Sequence, residues 1–292
     1  MNASTRMYPG TARVSRLFLV TAVLTVVLGG AASLQQLDAQ GPPTYRILVT
    51  NDDGVRAPGL AALVEALAPL GELTVVAPLD NHSGTGHALT MVGPIYADRV
   101  PIGEATTATA LAATPATCVR LALGTLMEQR PDLVVSGVNR GNNFGLNAYI
   151  SGTVAAAREA AMQGIPAIAS SLDFAGHPNY GAAAAATARV AGIVKAGGLS
   201  RGVFLNVNVP AAPADRLKGL KLVRQSSQMG QDRFEESRTP YGRRLYWSLF
   251  VQPETAEPDT DVQAVLDGYI AVTPLVASEF DAKEMEKLKG RF

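Results

Sequence analysis

The stretch Tyr45-Arg46-Ile47-Leu48-Val49-Thr50-Asn51-Asp52-Asp53-Gly54 decides the fold class. A short apolar run that ends in Asn-Asp-Asp-Gly is typical of a buried strand followed by a turn. Behind Pro58, apolar side chains recur at helical spacing and share one face, namely Leu60, Leu63, Val64, Leu67 and Leu70. A second apolar run, residues 73–77, follows and stops at Pro78. Strand, helix and strand in this order predict two parallel strands joined by a helix.

The same alternation continues along the chain. Apolar runs predict strands at residues 133–136, 167–171 and 203–209, and helices are predicted at residues 115–129, 153–163 and 181–196. Strands that alternate with helices at this spacing form a parallel sheet with helices on both faces. We therefore expect an α/β fold with a three-layer, doubly wound, mainly parallel sheet of the Rossmann-like type.

Residues 224–250 do not continue this pattern. They are polar, carry charges of both signs and end in Leu245-Tyr246-Trp247-Ser248-Leu249-Phe250, which predicts an extended arm or hairpin. An aromatic end on a protruding segment commonly docks onto a partner subunit, so we expect a homo-oligomer; a hairpin that covers its own domain is the alternative. No linker divides the chain, and residues 44–292, arm included, are predicted to form one domain.

Composition excludes several classes of protein. The 292 residues contain 25 basic and 25 acidic side chains, so the basic excess of a protein that neutralises nucleic acid phosphates is missing, and no duplex binding is expected. Cys118 is the single cysteine, which excludes an intramolecular disulfide. Because Cys118 falls in a predicted helix among apolar neighbours, we expect a buried thiol rather than a nucleophile.

The N-terminal residues 1–40 have the pattern of an export signal. Three arginines precede an almost wholly apolar stretch from residue 17 to 32, which ends in small residues. Cleavage is expected after Ala32 or Ala39, which would make the protein periplasmic or secreted. The alternative is an uncleaved membrane anchor, because the uncharged stretch approaches the ~20 residues that span a bilayer.

Oxygen-bearing side chains follow three of the predicted strands. Asp52 and Asp53 come after the first strand, Ser83 after the second, and Asn139 after the strand at residues 133–136. Ligands collect beyond the carboxyl ends of parallel strands, so these loops are expected to meet. Carboxylate, hydroxyl and carboxamide oxygens suit Mg²⁺, Mn²⁺ or Ca²⁺. Adjacent aspartates would repel each other unless a cation or proton intervened, although Asp-Asp-Gly alone is more often a simple turn.

A second candidate element can hold an anion. The glycine-rich segment 137–145 contains Gly141 and Asn143, and Ser151-Gly152-Thr153 begins a predicted helix. Glycines let the backbone approach an anion, and unpaired amides at a helix N-terminus attract negative charge. Helix capping is an equally good explanation for Ser151 and Thr153. The segment is neither a Walker loop nor a dinucleotide-binding fingerprint.

A metal beside a phosphate pocket predicts phosphoester hydrolysis. The metal would orient a phosphoryl oxygen and activate water, or Asp52 would itself be the nucleophile; the residues leave both open. His82 or His87 could protonate the leaving alcohol, but a lone loop histidine is more often a structural hydrogen-bonding group.

The chain resembles the SurE family of survival-protein nucleotidases. The resemblance covers most of residues 45–274, in the expected order, and rests on several long motifs: Ile47-Leu48-Val49-Thr50-Asn51-Asp52-Asp53-Gly54, Ala57-Pro58-Gly59, Val76-Ala77-Pro78, Asn81-His82-Ser83-Gly84, Pro131-Asp132-Leu133-Val134-Val135-Ser136-Gly137-Val138-Asn139, Ser151-Gly152-Thr153-Val154, Asn206-Val207-Asn208-Val209-Pro210 and Asp259-Thr260-Asp261.

The resemblance implies a metal-dependent phosphomonoesterase that hydrolyses nucleoside 5'-monophosphates, and often 3'-monophosphates, to nucleoside and phosphate. It implies one Mg²⁺ or Mn²⁺ per subunit, with Asp52 and Asp53 as catalytic metal ligands beside Ser83 and Asn139. Side chains and loops near the phosphate would be Asn51, Gly141, Asn143, Ser151, Gly152 and Thr153. It also implies a homodimer or homotetramer in which the C-terminal arm is exchanged.

Two positions and the N-terminus depart from the family pattern. Thr117 stands where relatives usually have aspartate, and Ile150 stands where they usually have tyrosine, with Tyr149 displaced by one. Relatives are mostly cytoplasmic, whereas this chain has the export-like segment. The alternative function is a non-catalytic exported protein that binds nucleotide or metal with the same oxygens.

Overall fold

The computed structural model describes residues 44–103, 106–174 and 178–291. From Tyr45 onward the chain forms one compact unit. The predicted signal segment, residues 1–40, lies outside the described residues. Among the residues that are described, no helix has the length and apolar character needed to cross a membrane.

The first three elements follow the predicted order. Strand β1 (Arg46–Thr50) is followed by helix α1 (Pro58–Leu67) and strand β2 (Glu72–Pro78), and β2 pairs with β1 in parallel. Proline is compatible with the first turn of α1 because an amide hydrogen there needs no partner within the helix. Gly59 in α1 is required by packing, since a Cβ at this position would lie 2.0 Å from the carbonyl oxygen of Val138.

The remaining strands complete a mixed nine-stranded sheet and form a separate two-stranded one. They are β3 (Ala97–Ile102), β4 (Thr106–Leu111), β5 (Leu133–Arg140), β6 (Ala167–Leu172), β7 (Val203–Val209), β8 (Leu220–Leu222), β9 (Gln231–Arg238), β10 (Arg244–Val251) and β11 (Ile270–Val276). The sheet has the order β3-β4-β2-β1-β5-β6-β7-β11-β8, and β9 and β10 form a separate two-stranded sheet. Six central strands, from β4 to β7, are parallel, whereas β3 and β11 run antiparallel to their neighbours β4 and β7. The prediction of an α/β fold with a mainly parallel sheet is confirmed.

Helices pack on both faces of the central strands. The longer ones after α1 are α2 (Pro115–Leu121), α3 (Gly152–Met162), α4 (Tyr180–Gly197), α5 (Asp261–Leu266) and α6 (Ala282–Leu288). Alternate side chains of β1 enter different clusters: Ile47 and Val49 pack with α1 and α4, and Leu48 packs with α2 and α3. The period-two alternation of a strand therefore builds two cores from one apolar run.

Two predicted boundaries are wrong. The strand predicted at 133–136 continues to Arg140, because Asn139 and Arg140 keep pairing with Ser171 and Leu172 of β6 after an irregularity that follows Ser136. The helix predicted at 115–129 ends as an α-helix at Leu121 and continues as a π-helical turn, Ala122–Leu126, before Met127 becomes extended. Asn139 consequently lies within a strand and not in a loop.

The predicted arm is a hairpin. Strands β9 and β10 pair in antiparallel register from Gln231↔Val251 to Arg238↔Arg244, and nearly all of their side chains are exposed. At its base, the side-chain amide of Gln252 donates to Asp173 Oδ1 at 3.0 Å. The hairpin is therefore held beside the loop that follows β6.

The strand order reverses between β1 and β5. From β1 the chain proceeds to β2 and β4 on one side, and it returns to the other side through β5, β6 and β7. The loops at such a reversal diverge to opposite faces and leave a crevice beyond the carboxyl ends of the two strands. Asp52 follows β1 and Asn139 lies near the end of β5, so the fold places both at this crevice.

Candidate active site

A cleft of about 390 Å³ opens at the reversal point between β1 and β5. Six of the ten site residues expected from the sequence line it, and they are Asp52, Ser83, Asn139, Gly141, Asn143 and Ser151. Asn51, Asp53, Gly152 and Thr153 are not in the lining among the described residues. The expected residues thus separate into a lining set and a supporting set.

Asp52 is the buried centre of the site. Its carboxylate lies at the N-terminal end of α3, where the hydroxyl of Thr153 donates a hydrogen bond to Asp52 Oδ1. Gly152 permits this approach, because a Cβ on Gly152 would lie 2.8 Å from Asp52 Cβ and 3.0 Å from Oδ2. A carboxylate at a helix N-terminus is also favoured by the helix dipole. Gly152 and Thr153 therefore position Asp52, and Thr153, which is fully buried, lies behind it and not in the cleft.

Burial dominates the ionisation of Asp52. Burial raises the pKa of its carboxyl above 3.8, the hydrogen bonds from Thr153 lower it in part, and the neighbouring charge of Asp53 raises it further. The net pKa is about 6. A rise of this size above 3.8 corresponds to about 3 kcal/mol of unfavourable free energy for the fully ionised group. A cation in the cleft would offset that cost.

Asp53 is hydrogen-bonded to the end of β5 through one of its two carboxylate oxygens. Its Oδ2 accepts a hydrogen bond from the backbone amide of Arg140 at 3.0 Å, and its side chain lines a neighbouring cleft together with Arg140 and Tyr180. Burial raises its pKa, while the Arg140 amide and guanidinium partly oppose the rise. Asn51, fully buried, supports the same turn by donating from Nδ2 to the Gly54 carbonyl at 2.9 Å.

The loop that carries Ser83 is attached directly to Asp52. The backbone amide of His82 donates to the Asp52 carbonyl at 2.8 Å, and the amide of Gly86 donates to the Ile150 carbonyl at 2.9 Å. The exposed Ser83 lines the cleft, but neither His82 nor His87 is in its lining among the described residues. The geometry gives no support to either histidine as the group that protonates the leaving alcohol.

His87 instead joins a buried ionic network. Its Nε2 lies 2.9 Å from Glu159 Oε2, and Arg120 Nε donates to Glu159 Oε1 at 2.8 Å. Burial opposes the ionisation of Glu159, but the hydrogen bonds from His87, Arg120 and Gln163 outweigh it and lower the pKa of this carboxyl to about 2. Since Glu159 is on α3, the network ties the Ser83 loop to the helix that positions Asp52.

Thr117, one of the two departures from the family pattern, also supports this loop. Its hydroxyl oxygen accepts a hydrogen bond from the amide of Thr90 at 2.8 Å and lies 2.9 Å from the hydroxyl of Thr114. The threonine therefore supplies a buried acceptor at the position where the family resemblance leads us to expect an aspartate. Ile150, the second departure, lines the cleft next to Ser151.

Asn139 presents one oxygen to the cleft. Its Nδ2 donates to the Gly141 carbonyl at 2.8 Å, which orients the carboxamide and leaves Oδ1 available. Ser151 caps α3 by accepting a hydrogen bond from the Val154 amide at 3.1 Å, and it also lines the cleft. Ser151 therefore both caps α3 and lines the cleft.

The glycine-rich loop is held from behind. Asn208 Oδ1 accepts from the amide of Asn143 at 2.8 Å, Asn206 donates to the Asn143 carbonyl at 2.7 Å, and the Asn143 side chain donates to Ser171 at 2.8 Å. Asp261 accepts from the amide of Gly145 at 2.9 Å. Several loop amides are thus already used within the protein, which fixes the shape of the loop and reduces the number left for an anion.

Eight lining residues were not among the site residues expected from the sequence. They are Gly84, Arg140, Asn142, Asn147, Ile150, Phe174, Ser248 and Phe250. The carboxamides of Asn142 and Asn147 are buried and have no hydrogen-bond partner among the described residues. Asn142 lies in the glycine-rich segment 137–145, which is the one signal in the sequence, whereas Asn147 lies beyond that segment. Nothing in the sequence around Phe174, Ser248 or Phe250 indicates a place in the cleft. For Ser248 and Phe250, that place depends on how the hairpin packs in the folded chain.

The arrangement combines a desolvated carboxylate, neutral oxygen donors and a helix N-terminus at one cleft. Such oxygens suit a hard divalent cation by their chemistry. The described residues contain no group of three or more His, Cys, Asp or Glu side chains that could hold a metal ion, so neutral oxygens would have to complete the ligand set. A phosphate oxygen next to such a cation would be polarised toward attack by water. The site is chemically suited to phosphoester hydrolysis.

The raised pKa of Asp52 predicts how stability depends on pH without metal. In the unfolded chain Asp52 ionises near 3.8 and in the folded protein near 6, so the folded state is penalised increasingly as pH rises between these values. In EDTA, Asp52→Asn should stabilise the protein by about 3 kcal/mol at pH 7.5 and by about half as much at pH 5. Denaturant unfolding at both pH values measures this, with the exposed Asp215→Asn as the control. A variant no more stable than wild type at pH 7.5 would contradict the assignment.

The comparisons with known proteins agree with this geometry. The family described as survival protein SurE matches residues 47–232. A 5'-nucleotidase SurE of Geobacter sulfurreducens is 47% identical over 231 residues, covering 78% of this chain and 87% of its own. A 5'/3'-nucleotidase SurE of Serratia proteamaculans is 43% identical over 234 residues, covering 79% and 89%. The crystal structure of a SurE protein from Aquifex aeolicus superimposes with a TM-score of 0.71 at 38% identity, covering 84% of this chain and 98% of that one. The chain belongs to the SurE family.

Proposed function

We propose that this protein is a metal-dependent phosphomonoesterase that hydrolyses nucleoside 5'-monophosphates, with 3'-monophosphates as a second substrate class. The single observation that carries the proposal is the meeting of Asp52, Ser83 and Asn139 in one cleft at the N-terminus of α3. Relatives that are 43–47% identical have the names 5'-nucleotidase and 5'/3'-nucleotidase, which supports this substrate class.

The proposed metal is one Mg²⁺ or Mn²⁺ per subunit. Asp52 and Asp53 would supply carboxylate oxygens, Ser83 its hydroxyl and Asn139 its Oδ1. These donors fit such a cation, because Asp52 is a buried carboxylate whose pKa is raised and because the Asn139 carboxamide is already oriented by Gly141. When bound, the cation would polarise a phosphoryl oxygen and lower the pKa of water.

The protein residues have distinct tasks in this proposal. Thr153 and Gly152 hold Asp52 in place, and the network of His87 and Glu159 holds the Ser83 loop against α3. The N-terminal end of α3, next to Ser151, would attract the phosphate through the helix dipole. From the opposite loop, the second hydrogen of Asn143 Nδ2 would contact the phosphate, and Gly141, whose amide already donates to the Leu172 carbonyl, would only leave room for it. The attacking group is proposed to be water. One oxygen of Asp52 accepts a hydrogen bond from Thr153 and the other would bind the cation, so neither would be free to attack phosphorus.

Activity measurements test the proposal. The purified protein should release inorganic phosphate from AMP in Mn²⁺ or Mg²⁺, lose this activity in EDTA and regain it when Mn²⁺ is restored. Asp52→Asn should lower kcat on the order of 100-fold, because it removes a ligand and misplaces the reacting groups. Asp215→Asn is the control and should retain activity. Equal phosphate release by wild type and Asp52→Asn would refute the site, and binding of AMP without turnover would support the non-catalytic alternative.

We further propose that the β9–β10 hairpin joins subunits into a homodimer or homotetramer. Trp247, Leu249 and Val251 lie on one face of β10 and are all exposed, which leaves an apolar row on an otherwise charged arm. A second copy of the chain would cover this row.

Molar mass in solution tests the role of the arm. Light scattering should give a multiple of the chain mass for wild type and the mass of one chain for Trp247→Glu, because a buried carboxylate would oppose docking. A wild-type protein that is monomeric at micromolar concentrations would contradict this role.

Export is proposed from the N-terminal segment alone. Its arginines, apolar stretch and small residues support a cleaved signal and a periplasmic or secreted protein, with a membrane anchor or a cytoplasmic protein as alternatives. Mass spectrometry of the protein purified from its native host should find an N-terminus that begins after Ala32 or Ala39. An intact Met1 in the mature protein would contradict cleavage.

A further inference from the structure

Two exposed aromatic rings stand beside the cleft without a role in the chemistry described above. Phe174 follows β6 and is 55% exposed, and Phe250 lies on β10 and is 40% exposed. Both line the same cleft as Asp52 and Ser83, and both also line a second cleft that continues outward toward Gln252. The cleft that contains Asp52 and Ser83 is therefore also bordered by a pair of phenylalanines.

Each of these rings is supported on one side by a glycine. A Cβ on Gly141 would lie 2.3 Å from the Phe174 ring, and a Cβ on Gly230 would lie 2.0 Å from the Phe250 ring. The guanidinium of Arg140 is 5.7 Å from the centroid of Phe174. Close packing on backbone limits the movement of a ring while the exposed fraction stays free for contact.

The hairpin is tied so that the two rings stay on the same side of the cleft. Gln252, just after β10, donates to Asp173, the residue before Phe174, at 3.0 Å. On β10, Ser248 and Phe250 share a face because side chains alternate along a strand, and both line the cleft. The opposite face carries the apolar row with Trp247. Ser248 and Phe250 thus belong to the cleft, whereas Trp247 and Val251 line neither cleft and are available to a second subunit.

We propose that Phe174 and Phe250 form an aromatic platform that binds the nucleobase of the substrate. This inference rests on the proposed nucleotidase function. A nucleoside monophosphate whose phosphate lies in the cleft beside Asp52 has one further large planar part, which is the aromatic base. Stacking on aromatic side chains is favourable for any base, since every base has a π-face. Neither phenylalanine has a polar group to read a base edge, so the platform recognises a base and does not select one.

The platform predicts a difference between substrates with and without a base. Phe174→Ala and Phe250→Ala should each lower kcat/KM for AMP about 10-fold, mainly through KM, and leave kcat/KM for ribose 5-phosphate within about 2-fold. Phe280→Ala removes another exposed phenylalanine, which lines neither cleft, and should change neither value. Phe250→Tyr should restore most of the AMP efficiency, because tyrosine also stacks.

Equilibrium binding separates failure of the platform from failure of the function. By calorimetry, the two alanine variants should bind AMP about 10-fold more weakly than wild type and inorganic phosphate equally well. Equal losses for AMP and ribose 5-phosphate, or unchanged AMP binding in both variants, would overturn the platform. If wild type hydrolysed neither substrate, the proposed function would fall, and the comparison of AMP with phosphate binding would still decide whether the platform exists.

Discussion

The hydrogen bond from Thr153 to the buried carboxylate of Asp52 is the contact on which the rest of the site depends. It joins the turn after β1 to the first turn of α3, and it places a negative charge where solvent cannot stabilise it. Gly152 is needed because any side chain there would displace the carboxylate. Burial of this carboxylate raises its pKa, which the bond from Thr153 opposes in part, and burial also accounts for the fit to a cation, since a desolvated carboxylate is stabilised by positive charge.

Further hydrogen bonds connect Asp52 to the Ser83 loop and connect that loop to α3. The Asp52 carbonyl accepts from His82 and so places Ser83, while His87, Glu159 and Arg120 fasten that loop to the far side of α3. The arm contributes an aromatic face to the outer end of the same cleft. Cation, phosphate and base would thus be held by successive parts of one cleft, with rigid elements nearest the chemistry and the hairpin farthest from it.

The central strands could be predicted from local pattern, and the edges of the sheet could not. The residues of β1, β2 and β7 are buried on both faces and read as apolar runs. Strand β3, with Asp98 and Arg99 exposed, has no such run, and β11 pairs with β7 across sixty residues of intervening sequence. The turn at Ala122–Leu126 follows an apolar helix, so its departure from α-helical geometry leaves no trace in composition.

For the site, the lining oxygens of Asp52, Ser83 and Asn139 could be predicted because they follow recognisable strands. The supporting contacts could not, since the bond between His87 and Glu159 spans 72 positions and the approach of Phe250 depends on the orientation of a hairpin. Thr153 shows the difference most clearly. A residue at a helix start is expected to cap the helix or bind an anion, and here it orients the buried carboxylate.

The central prediction is that the oxygens of Asp52, Asp53, Ser83 and Asn139 together bind one divalent cation. Calorimetric titration of metal-free protein with Mn²⁺ tests this without any substrate. We expect one Mn²⁺ per chain for wild type and for Asp215→Asn, with affinity at least about 10-fold weaker in both Asp52→Asn and Asn139→Ala. Mn²⁺ binding that is absent from wild type, or that is unchanged in both variants, would contradict the central claim.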